Sequence, residues 1–159
     1  MSSRSLKDRF LATFVTCGGL GYAPVASGTF GTLGGVAITA LIVYGAPEHY
    51  LAWMLGAAAV ISIAGMAAGR WAERRYGRKD PGEFVQDEVA GYLIAAAWIE
   101  VPGWTHLIVA FFVFRLFDIW KPWPANRMEK LPVGPGIVLD DLVAGLYAFG
   151  VTAAWRLLF

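Results

Sequence analysis

The chain is poor in charge. Asp, Glu, Lys and Arg together make up 16% of its 159 residues, where a soluble globular domain carries about 25%. A hydrophobic fraction of 57% moves the balance the same way, toward a chain solvated by a bilayer. Cysteine is nearly missing: Cys17 alone cannot close an intramolecular disulfide, so no disulfide framework is possible. A net charge of +1, with no basic stripe interleaved with aromatics, gives nucleic acid nothing to hold. The length allows one compact domain and not two, read as residues 1–159.

What is present is a series of uncharged runs. No charge occurs between Arg9 and Glu48, and none between Glu48 and Arg70. A helix needs about 20 mainly apolar residues to cross a bilayer, and Leu51 to Gly69 and Gly28 to Ala46 come close to that length. Val89 to Phe114 is broken by Glu100, Pro102 and Gly103, which read as a turn between two shorter helices, and Leu142 to Leu158 is the last candidate. The expected fold is an all-α integral membrane bundle of about five apolar segments; the competing reading is a soluble helical protein with an unusually apolar core. Arg4, Lys7 and Arg9 precede a stretch too short, and too poor in cleavage-site character, for a secretory signal. Leu6, Phe10 and Phe14 share a stripe at helical spacing, so this segment reads as an amphipathic helix on the membrane surface.

The basic residues are distributed unevenly. One group is Arg4, Lys7 and Arg9; a second is Arg70, Arg74, Arg75, Arg78 and Lys79; a third is Arg115, Lys121, Arg127 and Lys130. The connections near Glu48 and Glu100 carry no Lys or Arg. Alternation of this kind predicts a chain with its N-terminus inside, only Arg156 falling on the less favoured side. Asp87, Glu88, Asp118, Asp140 and Asp141 then lie at the cytoplasmic ends of their segments, while His49 and His106 fall on or near the opposite side as interfacial polar residues.

Those acids occur in three blocks: VQDEVAGYLIAAAW, FRLFDIWKPWP and GPGIVLDDLVAGLYA. Singly, each has a plain explanation. Asp140 could cap the last helix, with Asp141 in its first turn, and Asp87 and Glu88 could start theirs. Asp118 could pair with Arg115 or Lys121 at i,i+3 spacing. Capping does not explain doubled acids on two helices together with an Asp flanked by cations on a third. Charges near a bilayer are costly unless paired or metal-bound, and hard oxygen donors suit Mg²⁺ or Mn²⁺. Pro122 disfavours helix at Lys121, so Lys121 is expected to leave in an extended form with its ammonium beside Asp118, where it and Arg115 would clamp phosphate.

Gly18 to Gly35 is glycine-rich and includes Ser27, Thr29 and Thr32. Such backbone suggests a re-entrant or lining loop whose amides cradle a phosphate, although close helix packing through small residues explains Gly34 and Gly35 equally well. No Gly-Lys-Ser/Thr follows, so it is not a Walker A loop. A cysteine-dependent phosphatase would need Arg six residues after Cys17, where Ala23 stands. No Asp-x-Asp pair occurs and no His neighbours the acids, which leaves attack by metal-activated water.

Four ordered blocks, GLGYAPVASGTFGTLGG, QDEVAGY, FRLFDIWKPWP and GPGIVLDDLVAGLYA, resemble the phosphatidylglycerophosphatase A family over roughly Gly18 to Ala148. Ser27 stands where that family has Pro, and Thr32 where Ser is common. The resemblance implies Mg²⁺-dependent hydrolysis of phosphatidylglycerol phosphate to phosphatidylglycerol and phosphate in the bacterial inner membrane, with the site on the cytoplasmic side among membrane lipids. The expected metal ligands are Asp87, Glu88, Asp140 and Asp141. Asp118, Asp141 and Lys121 are the expected catalytic residues, Asp118 as a further ligand or as general base. Arg115, Lys121, Gly28 and Thr29 are expected to bind substrate. A cation transporter and a non-catalytic membrane protein with clustered carboxylates are the alternatives; a transporter would put its acids near the bilayer midplane, and a scaffold has no need of the cluster.

Overall fold

A computed structural model describes residues 5–128, 130–131 and 134–158, which among the described residues form helices and connections without strands. In order these are α1 (Leu6–Val15), α2 (Ser27–Gly45), α3 (Tyr50–Tyr76), α4 (Gln86–Ala95), α5 (Trp104–Trp120), α6 (Ala125–Met128) and α7 (Pro135–Leu158). Short 3₁₀ turns, Leu20–Tyr22 and Pro47–His49, precede α2 and α3. Among the described residues, three helices are long and apolar enough to cross a membrane: α2, α3 with its preceding turn, and α7. The five expected apolar segments thus divide into three of spanning length and two shorter helices, α4 and α5. The break between those two falls at the expected turn, with Gly103 preceding α5.

The ten-residue α4 is the centre of the bundle. It contacts α2, α3, α5 and α7, and Asp87, Val89, Ala90, Gly91, Tyr92, Leu93 and Ala95 are all buried. Tyr92 and Tyr50 anchor it: Tyr92 donates to the Leu107 carbonyl at 3.2 Å, and Tyr50 donates to the Ala96 carbonyl at 2.9 Å. The outer faces stay apolar, with Leu41, Val60, Ile63, Phe112 and Ile119 each more than half exposed. Apolar cover of this extent suits lipid better than water.

Three expectations change. Only the first part of the glycine-rich stretch is a loop; from Ser27 onward it is regular helix. Glycine costs a helix about 1 kcal/mol relative to alanine, but here a methyl has no room: a Cβ at Gly31 would sit 2.6 Å from the Val85 Cβ, and one at Gly35 would sit 2.9 Å from Tyr92. The last helix starts at Pro135, a residue favoured at a first helical position because its missing N–H has no partner to lose. Asp140 and Asp141 are therefore inside α7 and cannot act as its caps. His106 is buried against Trp98, ring centroids 5.9 Å apart, while His49 is exposed; only His49 retains the character expected of an interfacial residue.

Candidate active site

The acidic residues come from three helices that meet at one end of α4. Asp87 and Glu88 lie in the first turn of α4, where the helix dipole favours negative charge, and the Asp87 Oδ1 accepts from the Glu88 amide at 3.1 Å. Asp141 joins them from α7. One carboxylate oxygen from each of Asp87, Glu88 and Asp141 lies within 4.8 Å of the others.

The backbone explains this convergence. Asp87-Glu88-Val89-Ala90-Gly91 on α4 and Asp141-Leu142-Val143-Ala144-Gly145 on α7 carry the same Asp-x-Val-Ala-Gly pattern. Gly91 and Gly145 meet: a Cβ at Gly145 would collide with the Gly91 carbonyl, and one at Gly91 would lie 2.7 Å from the Asp141 carbonyl. With the glycines in contact one turn along each helix, the two aspartates start from neighbouring positions at the same end. The repeated pentapeptide was the signal for this pairing, and reading the acidic blocks separately conceals it.

One cation keeps the i,i+3 partner the sequence offered, and the other finds a partner on a different helix. Arg115 pairs with Asp118 on α5, and Lys121 bridges to Asp140 on α7, Nζ to Oδ2 2.6 Å. Lys121 is left-handed, φ 45 and ψ 60, rather than extended, and its ammonium reaches Asp140 on the neighbouring helix. Asp140 is thus paired with Lys121 and is not one of the three carboxylates that lie within 4.8 Å of one another. Asp118 neighbours Asp141 as well as Arg115. Gly28, at the start of α2, closes the site from another side: a Cβ there would lie 2.5 Å from the Glu88 Oε1 and 2.9 Å from an Arg115 nitrogen. Thr29 is half-buried beside it, and its amide is already spent on the Ala26 carbonyl at 2.8 Å.

Burial above all, and then the charge of Glu88, push the Asp87 carboxyl well above the ordinary carboxylate range. Burial also raises Glu88, against the opposing effect of its hydrogen bond with Asp87. Asp80 adds to the field on Asp87; it hides in the sequence among Arg78, Lys79 and Pro81, where it reads only as part of a basic connection. The Glu88 Oε2, Asp140 Oδ1 and Arg115 Nε are buried without a hydrogen-bond partner. Clustered, partly orphaned carboxylates with hard oxygen donors fit a divalent cation such as Mg²⁺, which would satisfy oxygens and cancel repulsion together. Beside Gly28, Ser27 lines a polar hollow of about 350 Å³ with Arg78 and Glu83, themselves paired at 2.6 Å.

The profile of the family "Phosphatidylglycerophosphatase A" matches residues 13–156. A Bacteroides thetaiotaomicron protein named "Putative phosphatidylinositol-3-phosphatase" is 35% identical over 94% of this chain and 96% of its own. The phosphatidylglycerophosphatase A of Escherichia coli (strain K12) is 30% identical over 84% of this chain and 76% of its own. That of Haemophilus influenzae is 43% identical over 49% of this chain and 48% of its own. No solved structure matches the chain.

Proposed function

Because the chain belongs to the phosphatidylglycerophosphatase A family and is a phosphoric monoester hydrolase, we propose that the acidic end of its bundle hydrolyses the terminal monoester of phosphatidylglycerol phosphate at the cytoplasmic face of the bacterial inner membrane. The observation that carries this reading is the approach of Asp87, Glu88 and Asp141 within 4.8 Å, with Arg115 and Glu88 together at Gly28. Those three carboxylates would hold Mg²⁺, with Asp140 kept close by Lys121. When bound, Mg²⁺ supplies charge neutralisation for the phosphoryl oxygens and acidifies a coordinated water.

The remaining work falls to the chain's own groups. Arg115 and Lys121 bind the non-bridging phosphate oxygens and orient the phosphorus for in-line attack. Asp118, its Oδ2 held by Arg115, takes the proton of the attacking water on Oδ1 as general base. The bond from phosphorus to the glycerol oxygen breaks as the water oxygen bonds, and the proton passes on to the leaving alkoxide. Gly28 lets Glu88 and Arg115 approach, and the hollow beside Ser27 offers room for the head-group glycerol. The acyl chains stay in the bilayer.

The Bacteroides relative favours a second substrate, a phosphoinositide monoester. Both readings are tested by phosphate release from purified protein with Mg²⁺, offering phosphatidylglycerol phosphate, phosphatidylinositol 3-phosphate and water-soluble glycerol phosphate. The proposal expects the first to be turned over fastest and turnover to stop on chelation. Preference for the phosphoinositide would transfer the substrate assignment, and cation flux into proteoliposomes without phosphate release would reject hydrolysis here.

A further inference from the structure

Away from the acids, α1 and the C-terminal half of α3 enclose a cleft of about 610 Å³. Its α3 wall is Ala64, Ala67 and Ala68, three small residues at helical spacing that leave an apolar trough. Phe10, Leu11 and Phe14 of α1 form the opposite wall. The cleft also carries Lys7, Arg70 and Arg74, and among the described residues no acidic side chain lines it. None of these three cations makes an ion pair with another described residue.

The two chemistries are arranged in order. Trp71 donates from its indole nitrogen to the Asp8 Oδ1 at 2.9 Å, which ties the first turn of α1 to the last turns of α3. Lys7 therefore shares one end of the cleft with Arg70 and Arg74, while the alanines lie further back along α3. Asp8 is occupied by Trp71 and by Ser5, whose amide-capping hydroxyl donates to it at 3.1 Å. Leu6 and Phe10 are 84% and 72% exposed, an unpartnered apolar edge on the helix that bears Lys7.

We propose that this cleft is a binding site for one anionic phospholipid, distinct from the acidic site, with the head-group phosphate on Lys7, Arg70 and Arg74 and an acyl chain in the trough between the phenylalanines and the alanines. A cationic end joined to an apolar trough matches the two halves of such a lipid. It matches neither a free phosphate, which has no use for the trough, nor a zwitterionic lipid, which brings no net negative charge to the three cations. An occupied cleft fastens α1 to the leaflet and gives the enzyme a lipid requirement separate from its substrate.

The test is native mass spectrometry of the full chain released from nanodiscs of phosphatidylcholine containing a minor fraction of phosphatidylserine, which offers no monoester. The wild-type protein is expected to retain one phosphatidylserine in preference to phosphatidylcholine. A basic side chain at an anionic surface strengthens binding several-fold, so the triple variant Lys7→Gln/Arg70→Gln/Arg74→Gln should weaken retention by about a hundredfold. Ala67→Trp, which fills the trough and keeps every charge, should abolish it too, whereas Arg127→Gln/Lys130→Gln should leave it unchanged. Helical circular dichroism and the melting temperature of each variant in detergent report that the fold is intact. Equal loss in the remote pair, retention in Ala67→Trp, or displacement of the lipid by inorganic phosphate would each overturn the site. Failure of hydrolysis in all forms would leave lipid retention readable, so the two proposals fail separately.

Discussion

Lys121 sits in a left-handed backbone conformation that a side chain with a Cβ adopts at a cost of about 1–2 kcal/mol. Its contact with Asp140 offsets that strain, and Asp140 is 3% exposed. Replacing Lys121 with Gln would strand a buried carboxylate. The expected result is a loss of about 3 kcal/mol on unfolding in detergent, together with a fall of at least about a hundredfold in phosphate release. Gly28 tests the opposite combination. A methyl at Gly28 meets only the ends of the Glu88 and Arg115 side chains, which can swing aside. Gly28→Ala should therefore leave the melting temperature nearly unchanged while lowering turnover at least about tenfold, because the displaced groups are the ones that face phosphate. Unchanged turnover would remove Gly28 from the site.

At the scale of elements, the crossing of α4 and α7 sets the distance between Asp87 and Asp141. Gly145→Ala adds one methyl against the Gly91 carbonyl, and backbone cannot swing aside as a side chain can. Overpacking of this kind costs about 1–3 kcal/mol. It should also weaken Mg²⁺ binding, measured by calorimetry, although no polar atom changes; normal metal affinity would detach the crossing from the site. Doubled acids inside apolar helices stood out in the sequence because a bilayer makes charge costly. Other parts were hidden by competing physics. The low helix propensity of Gly28 and Gly31 argued for a loop, and close packing, such as that of Gly31 on Val85 and Gly35 on Tyr92, overrode that preference. Asp140 looked like a possible cap, but the last helix starts earlier, at Pro135. Asp140, a partner of Lys121, lies nineteen residues away on another helix, beyond the reach of any i,i+3 argument.

For the whole molecule, a buried set of acids makes stability depend on pH and on divalent cations together. Asp87 has its carboxyl raised in the folded state, so the folded protein holds a proton there that the unfolded chain releases earlier. Without a divalent cation, stability contributed by this group is greatest below the ordinary carboxylate range and falls as pH rises toward the raised value. Mg²⁺ binds the deprotonated form and should reverse the trend. Melting temperatures across pH, in chelator and in Mg²⁺, should diverge as pH rises; parallel curves would mean that the carboxylates do not share an ion. The apolar runs already announced the helical class and, among the described residues, three helices of spanning length. The length of α4, too short to span and enclosed by its neighbours, was less visible, because a centrally buried short helix and a spanning helix are equally apolar in sequence.

The central claim is that carboxylates from α4 and α7 hold a divalent cation that acts on a lipid-borne phosphate monoester. The most direct measurement is phosphate release from phosphatidylglycerol phosphate across a Mg²⁺ titration, comparing the wild-type chain with Asp87→Asn and Asp141→Asn. The account predicts saturable Mg²⁺ dependence in the wild type and, in both variants, a loss of at least about a hundredfold with a higher Mg²⁺ requirement in whatever activity persists. Release that ignores Mg²⁺, or variants that reproduce the wild-type curve, would contradict it.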